Sequence, residues 1–232
     1  MRIGVYGGSF NPIHFGHLLL AETARDVARL DRVDFIPSGA LHYGKLTETT
    51  REDRYQMLCR ALRPYRDFNV NRMELDNPEL AYTYDTLRKY REDYPDDEIF
   101  LILSSESANK LPTWYNAEGI CKLANLIVAR RGGYPPPNFE LYEPFLEQKR
   151  IDLFRELVVD MPLFDLSSTE LRERIAKGRS IRFLTPDAVV EYIVEKNIYT
   201  DHYVEASAIE PTARQTVTPC KCKHFDDQTS AF

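Results

Sequence analysis

Short apolar runs alternate with stretches of helical periodicity through most of this sequence. Arg2–Tyr6 is an apolar run that leads into Gly7 and Gly8, and Phe15–Leu30 then repeats apolar residues at helical spacing. Further apolar runs follow at Val33–Ile36, Phe68–Leu75, Glu98–Leu103, Asn125–Ala129 and Leu157–Met161. This alternation predicts an α/β fold with a parallel sheet flanked by helices. Because ligands of such sheets bind at the carboxyl ends of strands, we expect a functional site at the loop after the first strand.

The charge of the chain narrows the classes of function. With 36 acidic and 30 basic residues the net charge is −6, so the chain lacks the basic surface that nucleic acids or anionic membranes require. No stretch approaches the ~20 apolar residues of a membrane span, and the four cysteines do not form a secreted disulfide framework. We therefore expect a cytoplasmic protein with no nucleic-acid or membrane partner, in which Cys59 and Cys121 are core thiols.

The apolar periodicity stops after Tyr199. Residues 200–232 are polar and contain Pro211 and Pro219, which predicts a domain over 1–199 followed by a flexible C-terminal tail. The tail sequence 220–224 (Cys-Lys-Cys-Lys-His) could also be interpreted as a metal site. Alternate spacing on a flexible strand suits a closed tetrahedral site poorly, so the tail interpretation is preferred.

The segment 7–17 has the composition of a phosphate-binding loop. Two glycines after a strand let the backbone approach a ligand closely, and the helix that begins near Phe15 directs its free amides to the same place. His14 and His17 are three positions apart on the opening turn, so both imidazoles can face one phosphate group, which Gly16 allows to approach. The alternative is that each histidine only caps or packs the helix start. Their pairing within a glycine loop favours the phosphate site.

A second segment, 166–172, combines hydroxyl residues with Arg172. Ser167 followed three residues later by Glu170 is typical of a helix N-cap with a capping box. The same hydroxyls, amides and guanidinium could bind phosphate oxygens. By itself, this segment favours the structural interpretation.

Taken together, several motifs give the chain a family resemblance. The string from Gly8 to His17 (Gly-Ser-Phe-Asn-Pro-x-His-x-Gly-His) is joined in order by 81–87, 112–115, 126–134, 167–172 and 183–193. This chain resembles the bacterial nicotinate-mononucleotide adenylyltransferases from Arg2 to about Tyr199. The resemblance implies a Rossmann-like nucleotidyltransferase fold and an enzyme that joins ATP to nicotinate mononucleotide, releasing pyrophosphate, with Mg²⁺ bound through the substrate phosphates and no metal ligands from the protein. It leaves open whether the enzyme is a homo-oligomer.

The resemblance also implies roles for individual residues. His14, His17 and Arg172 are implied as catalytic. ATP and its phosphates are implied to contact Gly8, Ser9, Phe10, Gly16, Lys45, Glu106, Ser168 and Thr169. The mononucleotide is implied to contact Asn11, Thr83, Trp114 and Tyr115, with Trp114 stacking on the pyridine ring. For Thr83 a helix N-cap role, and for Trp114 a packing role, are the alternatives.

Two positions depart from the usual family text. Lys45 follows His42 in Ala40–Lys45, where the family has Pro-Pro-His-Lys; the alternatives are a solvated loop lysine, or His42 in its place. Residues 104–107 read Ser-Ser-Glu-Ser, where the family has Gly-Ala-Asp-Ser or Gly-Thr-Asp-Ser. A serine side chain and a longer carboxylate could crowd the ribose. This departure leaves one rival open, a nucleotide sensor without turnover. A second rival is nicotinamide mononucleotide as acceptor, because a stacking tryptophan and backbone amides do not distinguish the acid from the amide.

Overall fold

The structure is a computed structural model that describes residues 1–39, 49–77, 82–130, 133, 135–162 and 165–200. Met1–Thr200 form one compact unit, and a second unit comprises 201–232, outside the described residues. The predicted tail, its Cys-Lys-Cys-Lys-His segment, Lys45 and His42 therefore lie outside the described residues. Within the described part of the chain, no helix is both long enough and apolar enough to cross a membrane.

Six parallel strands form one sheet in the order β3-β2-β1-β4-β5-β6. The strands are β1 (Arg2–Gly8), β2 (Arg32–Pro37), β3 (Phe68–Val70), β4 (Glu98–Ser104), β5 (Asn125–Arg130) and β6 (Val158–Asp160). The order reverses between β1 and β4, which pair from Arg2 with Glu98 to Val5 with Leu101. A crevice opens at this switch point outside the carboxyl ends of the strands. The predicted Rossmann-like α/β fold is thus confirmed.

Helices cover both faces of the sheet. They are α1 (Phe15–Val27), α2 (Arg51–Leu62), α3 (Met73–Asp76), α4 (Thr83–Asp93), α5 (Ser105–Lys110), α6 (Ala117–Leu123), α7 (Gln148–Glu156), α8 (Ser168–Ala176) and α9 (Asp187–Lys196). On β4, Ile102 packs into the core shared with α1, α2 and α9, while Leu101 and Leu103 pack with α4 and α6 on the other face. Burial on both faces explains why the β4 sequence is a continuous apolar run.

The predicted strand Phe68–Leu75 is wrong in its second half. The ladder ends where the Asn71 amide donates to the Phe35 carbonyl at 2.9 Å. The Asn71 side-chain oxygen then accepts the Met73 amide at 3.0 Å, and α3 begins. A side chain that bonds the backbone two residues ahead competes with strand pairing, so alternation alone misplaced this boundary.

The two cysteines expected in the core differ in burial. Cys121 is fully buried and Cys59 is half-buried. Burial raises the pKa of the Cys121 thiol to about 12 and raises that of Cys59 as well. Both thiols are therefore protonated and poorly nucleophilic at neutral pH.

Candidate active site

A cavity of about 320 Å³ lies at the carboxyl ends of β1 and β4. This volume falls within the range of small-molecule sites, roughly 300–1,000 Å³. The predicted site residues that line the cavity are Gly8, Phe10, His14, Gly16, His17, Trp114 and Ser168. The structure therefore brings the glycine loop, the histidine pair, the start of α8 and the tryptophan together at the switch point.

His14 and His17 lie face to face at the start of α1. Their ring centroids are 3.7 Å apart and the ring planes are inclined by 32°. His14 is the N-cap of α1 and accepts the Gly16 amide at Nδ1 (3.1 Å), while Nδ1 of His17 accepts the His14 amide (3.3 Å). The two imidazoles thus form a reciprocal capping box and line the cavity as well.

This hydrogen bonding determines where the ring protons lie. A nitrogen that accepts an amide hydrogen is unprotonated, so each neutral imidazole carries its proton on Nε2. Nε2 lies on the opposite edge of the ring from the capping contact. The capping and phosphate-facing interpretations of the sequence are therefore compatible, because each uses a different nitrogen of the same ring.

Aromatic side chains support the His17 ring. The Phe10 ring meets it edge to face, with centroids 5.2 Å apart, and the Tyr6 ring lies 6.3 Å away. Phe10 is fully buried and adopts a left-handed φ of 44°. The sequence predicted only a backbone contact for Phe10, and its side chain has this second, packing role.

Backbone carbonyls of the loop between β1 and α1 are held by donors from distant parts of the chain. The Ser38 amide bonds the Gly8 carbonyl at 2.9 Å. Side chains hold the others: Arg54 on Ser9 (2.9 Å), Arg172 on Asn11 (2.7 Å), Ser168 on Pro12 (2.9 Å) and Thr185 on Ile13 (2.7 Å). Carbonyl oxygens repel phosphates, and in a trans peptide the amide points opposite to its carbonyl. Holding the carbonyls of Gly8, Ser9, Pro12 and Ile13 therefore fixes the direction of the amide that follows each of them. The Asn11–Pro12 peptide is cis and proline has no N–H, so the Arg172 contact fixes only the carbonyl there.

Asn11 lies inside the protein. Its side-chain oxygen accepts the hydroxyls of Thr49 (2.6 Å) and Tyr199, and its relative exposure is 3%. The side chain predicted to contact the mononucleotide thus joins the loop to the residues before α2 and after α9. Its contact with substrate stays a prediction.

The start of α8 is tied to the same loop. Ser167 caps the helix by accepting the Glu170 amide at 3.1 Å, which confirms the structural interpretation of that segment. Arg172 also donates to the Thr169 hydroxyl at 3.1 Å, and Thr169 is exposed outside the cavity lining. Ser168 and Arg172 therefore already hold loop carbonyls, and their phosphate contacts stay predictions.

The unusual strand end 104–107 uses its serines locally. Ser104 caps α5 by accepting the Ser107 amide at 3.2 Å, and both side chains line the cavity. Ser105 is buried and donates to the Ala129 carbonyl at 3.1 Å. Glu106 is half-buried and does not belong to the cavity lining.

Trp114 lines the cavity, whereas its neighbour Tyr115 does not. Tyr115 is exposed, and its ring centroid lies 4.9 Å from that of Tyr82. Ser9, in the loop after β1, is also exposed and does not line the cavity. Thr83 is the first residue of α4, whereas the N-cap is Tyr82. The N-cap alternative for Thr83 is thus wrong, because the helix begins at Thr83 itself, one residue earlier than that role requires.

Sequence reasoning missed Arg54, Thr185 and Tyr199. Each is buried and polar, and each lies 45 to 188 residues from the loop atom that it bonds. Arg54 is a charged residue on the apolar side of α2, between Met57 and the helix start. That position is the only local sign of an unusual role.

Metal-ligating side chains do not cluster in the part of the chain that the structure describes: it holds no group of three or more His, Cys, Asp or Glu able to bind a metal ion. The described cavity lining offers imidazoles, hydroxyls and backbone groups without a carboxylate.

Comparison with known proteins identifies relatives over most of the chain. Residues 5–174 match the cytidylyltransferase-like family. A Thermus thermophilus protein named "Probable nicotinate-nucleotide adenylyltransferase" is 39% identical over 199 residues, covering 86% of this chain and all of the relative. A protein of the same name from Exiguobacterium sibiricum is 36% identical, covering 86% of this chain and 99% of the relative.

A solved structure agrees at the level of the fold. The Plasmodium falciparum nicotinic acid mononucleotide adenylyltransferase complexed with NaAD superposes with a TM-score of 0.67. It is 19% identical, and the match covers 85% of this chain and 97% of that one. This likeness is one of fold and extends over most of both chains.

The Thr185 contact gives a testable prediction for the loop. Thr185→Val removes the donor to the Ile13 carbonyl at nearly constant volume. We expect it to destabilise the protein by about 1–3 kcal/mol, because a buried acceptor loses its partner. Thermal unfolding measures this loss. The matched control is Thr23→Val, which removes a hydroxyl bonded to the Leu19 carbonyl within α1; equal melting temperatures for both variants would contradict the anchoring role.

Proposed function

Because the chain belongs to the cytidylyltransferase-like family, and within it to the nicotinate-nucleotide adenylyltransferases, we propose that it transfers the adenylyl group of ATP to nicotinate mononucleotide. The products are nicotinate adenine dinucleotide and pyrophosphate, a step in NAD biosynthesis. The structural observation that carries the proposal is the stacked pair of His14 and His17, whose rings line a cavity at the switch point of the sheet. The proposed compartment is the cytoplasm.

The reaction needs no nucleophile from the protein. A phosphate oxygen of the mononucleotide attacks the α-phosphorus of ATP, the bond from that phosphorus to the bridging oxygen breaks, and pyrophosphate leaves. Catalysis then consists of positioning and of stabilising charge on phosphoryl oxygens. The Nε2–H groups of His14 and His17, with the amides of Gly8–Phe10, are the donors proposed for that charge.

The outer phosphates of ATP are proposed to reach the start of α8. Arg172 has five N–H donors, and its bonds to Asn11 and Thr169 leave others for phosphate oxygens. Ser168, Thr169 and Gly16 complete this end of the site, and Lys45 is proposed to join it from its loop. Glu106 is proposed to reach the ribose.

Mg²⁺ is proposed to enter on the polyphosphate. The described lining suits a cation that keeps water and phosphate ligands, because it holds no carboxylate. Bound there, the ion offsets negative charge on the leaving pyrophosphate.

The mononucleotide is proposed to bind at the Trp114 end of the cavity. Trp114 lines the cavity and is partly packed against the core, which suits a ring that stacks on a pyridine. Thr83 and the backbone of Tyr115 are proposed to contact the same substrate, and Asn11 to hold the loop beside it.

One assay separates this function from its rivals. Purified protein is mixed with ATP, Mg²⁺ and either nicotinate or nicotinamide mononucleotide, and pyrophosphate release is followed, with EDTA as the metal control. We expect dinucleotide from the nicotinate substrate and none after EDTA. Faster turnover of the nicotinamide substrate would reverse the acceptor assignment. Two observations favour the sensor alternative: Ser104 lines the cavity, and Glu106 does not. Binding of ATP without release of pyrophosphate would establish it.

His17→Ala tests the histidine pair. The variant removes one Nε2–H donor near the reacting phosphate, so we expect turnover to fall about 10²–10³-fold. Circular dichroism and thermal unfolding check that the variant is folded, since the loss of a capping contact costs only about 1 kcal/mol. A folded variant with unchanged turnover would refute the assignment.

Trp114→Ala tests the position of the acceptor. We expect the KM for nicotinate mononucleotide to rise about tenfold or more, because stacking on an aromatic ring is lost. The KM for ATP should stay within about twofold. Trp114→Phe is the matched control and should restore most of the affinity; an equal rise for both substrates would place the tryptophan elsewhere in the mechanism.

A further inference from the structure

Arg54 of α2 is completely buried beneath the loop that follows β1. Its Nη1 donates to the Ser9 carbonyl at 2.9 Å and its Nη2 to the Ser38 carbonyl at 2.7 Å. These carbonyls lie just beyond the ends of β1 and β2. One guanidinium therefore joins two adjacent strand ends at the carboxyl edge of the sheet.

One nitrogen of the buried Arg54 guanidinium lacks a hydrogen-bond partner. Among the described residues, Nε of Arg54 is the only buried side-chain nitrogen or oxygen in that state. Glu74 is the acidic residue whose charge acts on this guanidinium. Burial lowers the pKa of Arg54, but a guanidinium remains protonated in proteins. A buried guanidinium with an unpartnered nitrogen is costly to the folded state, which calls for a compensating role.

The Ser9 contact determines the direction of the next amide. In the trans peptide between Ser9 and Phe10, the carbonyl is held by Arg54 and the Phe10 N–H points the opposite way. Phe10 has a left-handed backbone and lines the cavity. The guanidinium lies on one side of this peptide and the cavity on the other. The Phe10 amide is therefore held in a fixed orientation.

We propose that Arg54 is a positioning residue for the polyphosphate of ATP. It holds the Ser9 carbonyl so that the Phe10 amide faces the phosphates, and its buried charge adds to the positive potential of the cavity. This inference rests on the proposed function, and it concerns ATP rather than the acceptor.

Arg150 provides a matched control away from the cavity. It also donates to backbone carbonyls, those of Cys121 (2.8 Å) and Ala124 (2.8 Å), and to the Asn125 side chain (2.8 Å). Burial lowers its pKa too. Replacing either arginine with lysine keeps the charge but removes the planar fork that reaches several oxygens at once.

The kinetic test compares Arg54→Lys with Arg150→Lys. For Arg54→Lys we expect kcat/KM for ATP to fall by about tenfold or more, with the KM for the mononucleotide within about twofold of the wild type. For Arg150→Lys both parameters should stay within about twofold, whatever its melting temperature. The proposal would be overturned if Arg54→Lys changed the kinetic parameters for ATP and for the mononucleotide equally, or changed neither.

A measurement on the wild-type protein covers the case in which Arg54→Lys does not fold. In ¹⁵N-labelled protein, Mg²⁺-pyrophosphate should shift the Nε–H resonance of Arg54 and leave that of Arg150 in place. The proposal would be overturned if neither the Arg54 nor the Arg150 Nε–H resonance shifted under saturating Mg²⁺-pyrophosphate. If wild-type protein shows this shift but makes no dinucleotide, the proposed function fails while the polyphosphate role of Arg54 stands.

Discussion

The site depends on how the carbonyl oxygens of the loop between β1 and α1 are held. Each carbonyl dipole that faced a phosphate would oppose its binding, and a short loop cannot bond these oxygens itself. Donors from α2, α8 and the segment before α9 hold four of them, and Ser38 holds the carbonyl of Gly8 at the end of β1. The orientation of the loop peptides is therefore a property of the whole sheet-and-helix assembly rather than of its glycines alone.

The histidine pair illustrates how local structure and chemistry can share the same atoms. Capping a helix and facing a ligand look like competing roles when each side chain is treated as one group. An imidazole has two nitrogens on opposite edges, and here the helix start uses Nδ1 of both rings. The cap then orients the ring and sets the tautomer, so the structural role prepares the chemical one.

Local patterns in the sequence were sufficient for the framework. The strand and helix alternation predicted the parallel sheet, and the glycine–histidine segment lies at the switch point as expected. The second half of Phe68–Leu75 was mispredicted because the Asn71 side chain bonds the backbone ahead of it. Arg54 and Thr185 could not be predicted, because a side chain that bonds a distant carbonyl leaves no periodic signature in the sequence.

The Tyr199 hydroxyl on Asn11 joins residues 188 positions apart. During synthesis the glycine loop leaves the ribosome early, whereas Ser168, Arg172, Thr185 and Tyr199 emerge near the end of the compact unit. Contacts of such long range form late in folding. A nascent chain thus completes its sheet before the contacts that hold this loop, and the cavity at the switch point is finished only when translation of this unit is almost complete.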